Sequence, residues 1–167
     1  MLKLVTERKP DLLVLCEINE RWAEDIGSLK RHFASYFVHP FVHPQENSYG
    51  IALYSQLDMP RCELRGMVRE AVPSIDADIV LGDGQTVRVF AVHPKPPQPG
   101  ADTTRRDAEL VMVGREVRDD PSVIVLGDLN DVGWSRTSNL FREASQLMDP
   151  RIGRGFYPTF DATSWIM

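Results

Sequence analysis

Only two cysteines, Cys16 and Cys62, occur in the 167 residues. That is too few for a disulfide-dense scaffold or a four-thiolate zinc site. Cys16 lies in an apolar run, where a free thiol packs as a small hydrophobe. No stretch approaches the ~18 consecutive apolar residues of a membrane span, and the start, Met1-Leu2-Lys3-Leu4-Val5-Thr6-Glu7, lacks a signal-peptide core. As given, the chain is expected to be soluble. Positive charge is also scarce, since 19 Lys and Arg stand against 24 Asp and Glu for a net charge of −5. This runs against a general nucleic-acid-coating role, because such affinity comes mainly from Lys and Arg neutralising backbone phosphates. A phosphate ester held through a metal ion remains open, because the ion supplies positive charge locally.

Several catalytic signatures are missing as well. There is no Gly-x-x-x-x-Gly-Lys-Ser/Thr loop for a nucleotide triphosphate and no Gly-x-Ser-x-Gly elbow for a serine hydrolase. Gly127-Asp128-Leu129-Asn130-Asp131 fits the Gly-Asp-x-x-Asp element of calcineurin-like metallophosphoesterases, but the upstream Asp-x-His and downstream Gly-Asn-His of that fold do not occur. Internal repeats and low-complexity tracts are absent too.

The composition is that of a globular domain, with 43% apolar and 26% charged residues. A chain of this length can bury about 70% of its unfolded surface, so residues 1–167 are expected to form a single domain. Asp11 to Cys16 is a short apolar run expected to be a strand buried on both faces, with Glu17 at its end. Behind Asn19, a candidate N-cap, Trp22, Ile26, Leu29 and Phe33 recur at helical spacing, predicting a helix over Asn19 to His32. Short segments follow at Tyr36–His39, Tyr49–Ser55, Cys62–Val68, Ile75–Leu81 and Thr86–His93, which read as antiparallel strands. Gly82-Asp83-Gly84-Gln85 is the clearest turn, between an Ile75/Ala77/Ile79/Leu81 face and a Val87/Val89/Ala91 face that His93 continues. The Pro94 to Gly100 stretch predicts a loop. Thr104 with Asp107 resembles a capping arrangement opening a helix to Arg118, ahead of a strand over Val123 to Leu126. A last helix is expected from about Thr137 to Met148, stopped by Asp149-Pro150. Helices alternating with a largely antiparallel sheet system place the chain in the mixed α and β class.

Four residues are candidates for chemistry. Asp128 and Asn130 follow an apolar strand directly, and their spacing predicts side chains directed to one side. An Asp carboxylate can orient or deprotonate a water, and an Asn amide can hold that water or a phosphoryl oxygen. An Asx turn ending the strand, with Gly127 allowing the bend, is the simpler account of this segment alone. Glu17 at the end of a buried strand is a candidate metal ligand, since buried carboxylates are uncommon unless paired or metal-bound and magnesium accepts one or two of them. An acid interacting with the dipole of the following helix accounts for it equally well. His93 could donate to a phosphoryl oxygen, or simply end a strand before Pro94. His39 and His43 have i, i+4 spacing, but Pro40 and Pro44 argue against a shared helical face, so His32, His39 and His43 are expected to be structural or surface residues.

Taken in order, the segments Pro10 to Glu17, Tyr49 to Ser55, Val92-His93-Pro94, Gly127-Asp128-Leu129-Asn130 and Pro158-Thr159-Phe160 resemble the endonuclease/exonuclease/phosphatase superfamily, which has the deoxyribonuclease-I-like fold. The resemblance spans nearly the whole chain. It implies an α+β fold, a four-layer α/β/β/α sandwich of two mixed, mainly antiparallel sheets flanked by helices. It also implies a divalent-metal-dependent phosphoester hydrolase, a phosphodiesterase or phosphatase with an endonuclease among the forms it covers, with Mg2+ or Mn2+ as cofactor. By that resemblance Glu17 matches the metal-binding Glu, His93 the phosphate-contacting His, Asp128 the Asp that aligns or activates water, and Asn130 its companion. Thr159-Phe160 matches a structural loop near the site. The implied partner is a phosphoester: nucleic acid, phospholipid headgroup or nucleotide derivative.

Family members usually begin with a strand carrying a metal-proximal Asn and close with a strand ending in Asp-His, and neither element is found here. The expectation is a chain truncated at both ends, whose own activity depends on those partners; the alternative is a non-catalytic binding module retaining the fold. Missing strands would leave open sheet edges, so self-association is expected. Hydrophobic segments that precede such domains in some bacterial relatives make membrane tethering of a parent protein a further expectation.

Overall fold

The computed structural model describes residues 2–33, 39–66, 72–96 and 104–153. The expected strand positions 36–38 and 67–68, the far part of the 94–100 loop, and Thr159-Phe160 lie outside the described residues, as do the side chains of Leu29, His32 and Phe33.

The elements run in the order α1 (Leu2–Arg8), β1 (Leu12–Cys16), α2 (Glu20–Phe33), β2 (His39–His43), β3 (Ile51–Ser55), β4 (Asp58–Gly66), β5 (Pro73–Val80), β6 (Thr86–Val92), α3 (Thr104–Val117), β7 (Val123–Gly127) and α4 (Arg136–Ser145). One sheet has the order β1-β3-β2 and is antiparallel throughout. The other has the order β4-β5-β6-β7, antiparallel except for the parallel β6–β7 pair. The α+β expectation of two mainly antiparallel sheets holds, the four-stranded one being mixed.

Strand alternation turns this topology into layers, because successive side chains leave opposite faces. From β3, Ala52 and Tyr54 pack outward with Val5, Ile18 and Ile26, joined by Leu13 and Leu15. Ile51 and Leu53 point inward and meet Ile75, Ala77 and Ala91 of the second sheet. On the far side of that sheet, Phe90, Val92, Val123 and Val125 pack on Val113 and Val117 of α3 and Phe141 of α4. Helix, sheet, sheet and helix therefore share three apolar seams.

The outer face of the four-stranded sheet also carries charge. Asp76, 1% exposed, accepts hydrogen bonds from Arg61 Nη2 at 2.9 Å and from Arg88 Nε and Nη2 at 2.9 and 2.7 Å. Burial pushes this carboxyl up, but the hydrogen bonds from Arg88 and Arg61 outweigh it and hold Asp76 at about 2. Arg88 also reaches Glu116 of α3 at 2.8 Å, tying helix to sheet.

Local signals placed most helices and strands. Asn19 Oδ1 accepts from the Trp22 backbone N–H at 2.9 Å, the cap expected for α2. The Leu81–Gln85 turn closes through Leu81 N–H to Gln85 O at 2.8 Å, with Gly84 at φ 83°. Three boundaries differ because proline masked them. β2 runs over His39–His43 with Pro40 inside it, tolerated because β2 is an edge strand. β4 starts at Asp58, where the register shifts between Asp58 and Arg61 around Pro60. Pro73 opens β5, a first-residue position that needs no ladder N–H. α4 starts at Arg136 because Ser135, rather than a later residue, supplies the cap to Ser138 N–H.

His39 and His43 sit on this edge strand and not on a helix, with His39 Nε2 3.8 Å from Asp58 and His43 Nε2 2.9 Å from Gln45 Nε2. β1 is only partly buried along its length, short of the two-face burial expected, because it is an edge strand of its sheet.

Candidate active site

The ends of β1, β6 and β7 converge, and with them Glu17, His93, Asp128 and Asn130. Register explains part of this. Cys16 pairs with Ile51, so Glu17 and Gly50 are neighbours just past the β1–β3 ladder. Val92 pairs with Gly127 in the parallel β6–β7 ladder, so His93 and Asp128 leave the sheet side by side.

Glu17 departs from the expectation of a buried carboxylate. Its backbone takes a left-handed φ of 62°, and the side chain is 64% exposed. Breaking strand alternation turns it out of the interior. The following peptide is pinned from both sides: Ile18 N–H donates to Gly50 O at 3.1 Å, and Ile18 O accepts from Gln45 N–H at 3.0 Å. A Cβ on Gly50 would come within 1.7 Å of Ile18 O, so this approach needs a glycine.

His93 is the reverse case, 2% exposed, with neither ring nitrogen hydrogen-bonded. Its Nε2 lies 3.9 Å from Glu17 Oε1, and the Tyr49 ring is tilted against the imidazole at a centroid distance of 6.1 Å. Two shielded ring nitrogens without partners are costly, and such orphans call for a functional account.

The Asp128 segment is built as an Asx turn. Asp128 Oδ1 accepts from Asn130 N–H at 2.9 Å, and Asn130 sits at φ 49°. Asn130 Nδ2 donates to Pro94 O at 2.9 Å, bracing the residue after His93. The two side chains therefore do not simply point together as the spacing predicts: Asp128 remains exposed and Asn130 turns toward the β6 exit. Gly127 makes this possible, at φ 134° with Val92 O only 2.0 Å from where a Cβ would stand.

Cys16, read as a packing residue, borders the same site. Burial pushes its thiol up, a hydrogen bond with the Asp128 backbone opposes this, and the charges of Asp128 and Glu17 add to the rise. Tyr49 and Gly50 were legible only as part of an apolar-run motif; their place beside His93 and Glu17 follows from the β1–β3 register. Among the described residues no group of three or more His, Cys, Asp or Glu could hold a metal ion. What is present is one exposed carboxylate beside a buried imidazole. Magnesium takes one or two carboxylates and fills its octahedron with waters and phosphate oxygens, so Glu17 fits that kind of ion better than it fits a closed site of several protein ligands.

Solved structures share this architecture. Truncated TDP2 of Caenorhabditis elegans superposes with a TM-score of 0.63 at 19% identity, over 78% of this chain and 53% of that one. Sphingomyelinase C of Streptomyces griseocarneus gives 0.62 at 18%, over 83% and 58%. A beta toxin mutant of Staphylococcus aureus with bound magnesium ions gives 0.62 at 13%, over 83% and 58%. The chain thus spans little more than half the length of these proteins. No curated protein sequence matches it significantly. The profile of the Endonuclease/Exonuclease/phosphatase family matches residues 1–167, and the chain belongs to that family.

Proposed function

We propose that this site hydrolyses phosphoester bonds with the help of Mg2+ or Mn2+, as a phosphodiesterase or phosphatase. The observation that carries the reading is the convergence of an exposed carboxylate, Glu17, on a buried imidazole without hydrogen-bond partners, His93, at 3.9 Å. A phosphoryl oxygen is an acceptor that a protonated ring nitrogen lacks in this arrangement. Likeness to a sphingomyelinase C and to a magnesium-binding beta toxin supports the same class.

Glu17 would hold the ion, which supplies positive charge to the phosphate and its leaving group. His93 donates to a phosphoryl oxygen as negative charge develops there. Asp128 is exposed and uses one oxygen in the Asx turn, which fixes the carboxylate while the other oxygen remains to orient the attacking water. Asn130 holds Pro94 through Nδ2, so its first role is to keep the His93 and Asp128 segments in register.

The test is turnover of a phosphoester panel, from p-nitrophenyl phosphate and bis-p-nitrophenyl phosphate to an oligonucleotide and sphingomyelin, with Mg2+ and with EDTA. Asp128→Ala is expected to lower turnover about 10²- to 10⁴-fold, the usual worth of general acid–base help. Equal turnover by both proteins would sink the assignment. Self-association belongs to the same proposal: β1 and β7 are paired on one side only among the described residues, and Ile124 on β7 is exposed.

A further inference from the structure

Immediately beyond Asn130 the chain makes a tight turn, with Ser135 N–H donating to Val132 O at 3.0 Å. The turn exposes apolar side chains: Trp134 is 69% exposed and Val132 close to half. Such exposure is not slack, because polar groups fix the turn from beneath. Asp131 accepts from Val132 N–H at 2.8 Å and from Ser135 Oγ at 2.5 Å, with Ser138 Oγ 3.4 Å away. Ser138 Oγ also donates to Val132 O at 2.9 Å, and Ser135 caps α4. On the other side the Arg151 guanidinium lies against Gly133, itself held by Asp149 through Nε at 2.9 Å and Nη2 at 2.8 Å.

We propose that Trp134 is a substrate-recognition residue, a platform for a planar ring carried on the ester group, so that preferred substrates are phosphoesters with a nucleobase- or aryl-type ring near the phosphate. This rests on the phosphoesterase reading above. Trp134 is four residues past Asn130, at most ~14 Å along an extended chain and nearer through the turn. A ring esterified close to the phosphate reaches that far. The turn that carries Trp134 is fixed in advance, so its backbone loses little freedom on binding, and an indole face suits any planar ring.

The charge and size of the surroundings separate this occupant from larger ones. Asp128 and Asp131 flank the turn, the guanidinium beside it, Arg151, is paired with Asp149, and the chain carries a net charge of −5, which opposes a long polyanion. Two apolar side chains on one turn are also too little for a bilayer anchor, which needs a long apolar face or a second membrane signal.

Two measurements test the proposal. The ratio of kcat/KM for the methyl diester of adenosine 5′-monophosphate to that for the methyl diester of ribose 5-phosphate, followed by chromatography of the products, is expected to fall about 10-fold in Trp134→Ala, the size of one base stack, and to be largely restored in Trp134→Phe. An unchanged ratio overturns it. If the unsubstituted protein hydrolyses neither ester, the phosphoesterase reading fails, and fluorescence decides the platform separately. Trp134 emission, taken as the difference between the unsubstituted protein and Trp134→Phe, should be quenched saturably by adenosine 5′-monophosphate and not by ribose 5-phosphate. Equal quenching by both, or none, removes the platform. A blue shift on phosphatidylcholine vesicles in place of that quenching assigns the turn to a lipid surface and overturns the proposal.

Discussion

Replacing Gly127 with alanine isolates how the Asp128 turn is held. Two costs add at this position. The first is conformational: φ is 134°, and a side chain in such a region costs about 1–3 kcal/mol. The second is steric, because the new Cβ would stand 2.0 Å from Val92 O and 3.0 Å from Val92 C. That oxygen belongs to β6, which is paired on both sides by β5 and β7, so it cannot step aside without disturbing two ladders. Overpacking of this kind costs about 1–3 kcal/mol more. The sum, roughly 2–6 kcal/mol, is a large part of the about 5–15 kcal/mol that stabilises a domain.

Two other glycines separate the terms. Gly84 has φ 83° with nothing within 4 Å of its Cβ position, so Gly84→Ala should show the conformational cost alone. Gly50 meets Ile18 O at 1.7 Å and has no left-handed φ, so Gly50→Ala should show the steric cost alone. Urea unfolding reads all three. With a slope of about 2 kcal/mol per molar, Gly127→Ala should lower the midpoint by about 2 M and Gly84→Ala by about 1 M. The reasoning fails if Gly127→Ala loses no more than Gly84→Ala.

Asp76 is depressed to about 2, so its stabilisation is complete above the unfolded value near 4 and is lost as pH falls through 2. Asp76→Asn should remove roughly 2 kcal/mol of the stability that the unsubstituted protein loses between pH 5 and 2, measured by urea midpoints across that range. Glu109, 5% exposed on α3, is pushed up to about 7 by burial. A raised folded value means stability is lost as pH rises from the ordinary carboxylate range through 7. Glu109→Gln is therefore expected to be about 2–3 kcal/mol more stable than the unsubstituted protein at pH 8 and no different at pH 4; the same gain at both pH values contradicts this. On the β7 edge, Ile124→Lys should reduce self-association seen by light scattering at high concentration, and a strict monomer without the substitution removes that part of the proposal.

What the sequence made legible was set by short-range rules. The Ile75/Ala77/Ile79 and Val87/Val89/Ala91 faces are one side of a two-strand ladder, and Ile75, Ala77 and Ala91 do share the inter-sheet core. Asn19 caps α2 because capping needs only the next three residues. Pro40 and Pro60 hid the extents of β2 and β4, since whether a proline is tolerated depends on an edge or a register shift that only pairing reveals. Glu17 was expected inside because the two-face burial read for Asp11 to Cys16 was extended to the residue that ends the run, whereas φ 62° at Glu17 turns the chain out of the strand. The roles of Tyr49, Gly50 and Gln45 depend on the register of β3 against β1 and on the fold of the loop before it, and no local pattern reports either.

The site is consequently a property of the backbone before it is a property of its side chains. Left-handed φ values at Glu17, Gly127 and Asn130 fall in the two segments that carry the carboxylates. Each costs roughly 1–3 kcal/mol where the residue is not glycine, and such conformations persist only where the surroundings over-determine them. Here those surroundings are identifiable: the Ile18 peptide held between Gly50 and Gln45, the Asx turn from Asp128 to Asn130, and the Asn130 bond to Pro94. His93 adds a second tension, a buried ring whose nitrogens bond to nothing. A frame that holds two strained carboxylate loops around an unsatisfied imidazole has been shaped by something other than its own stability. Under the proposed function a metal-bound phosphate would relieve it, bringing an acceptor to His93 and positive charge to Glu17.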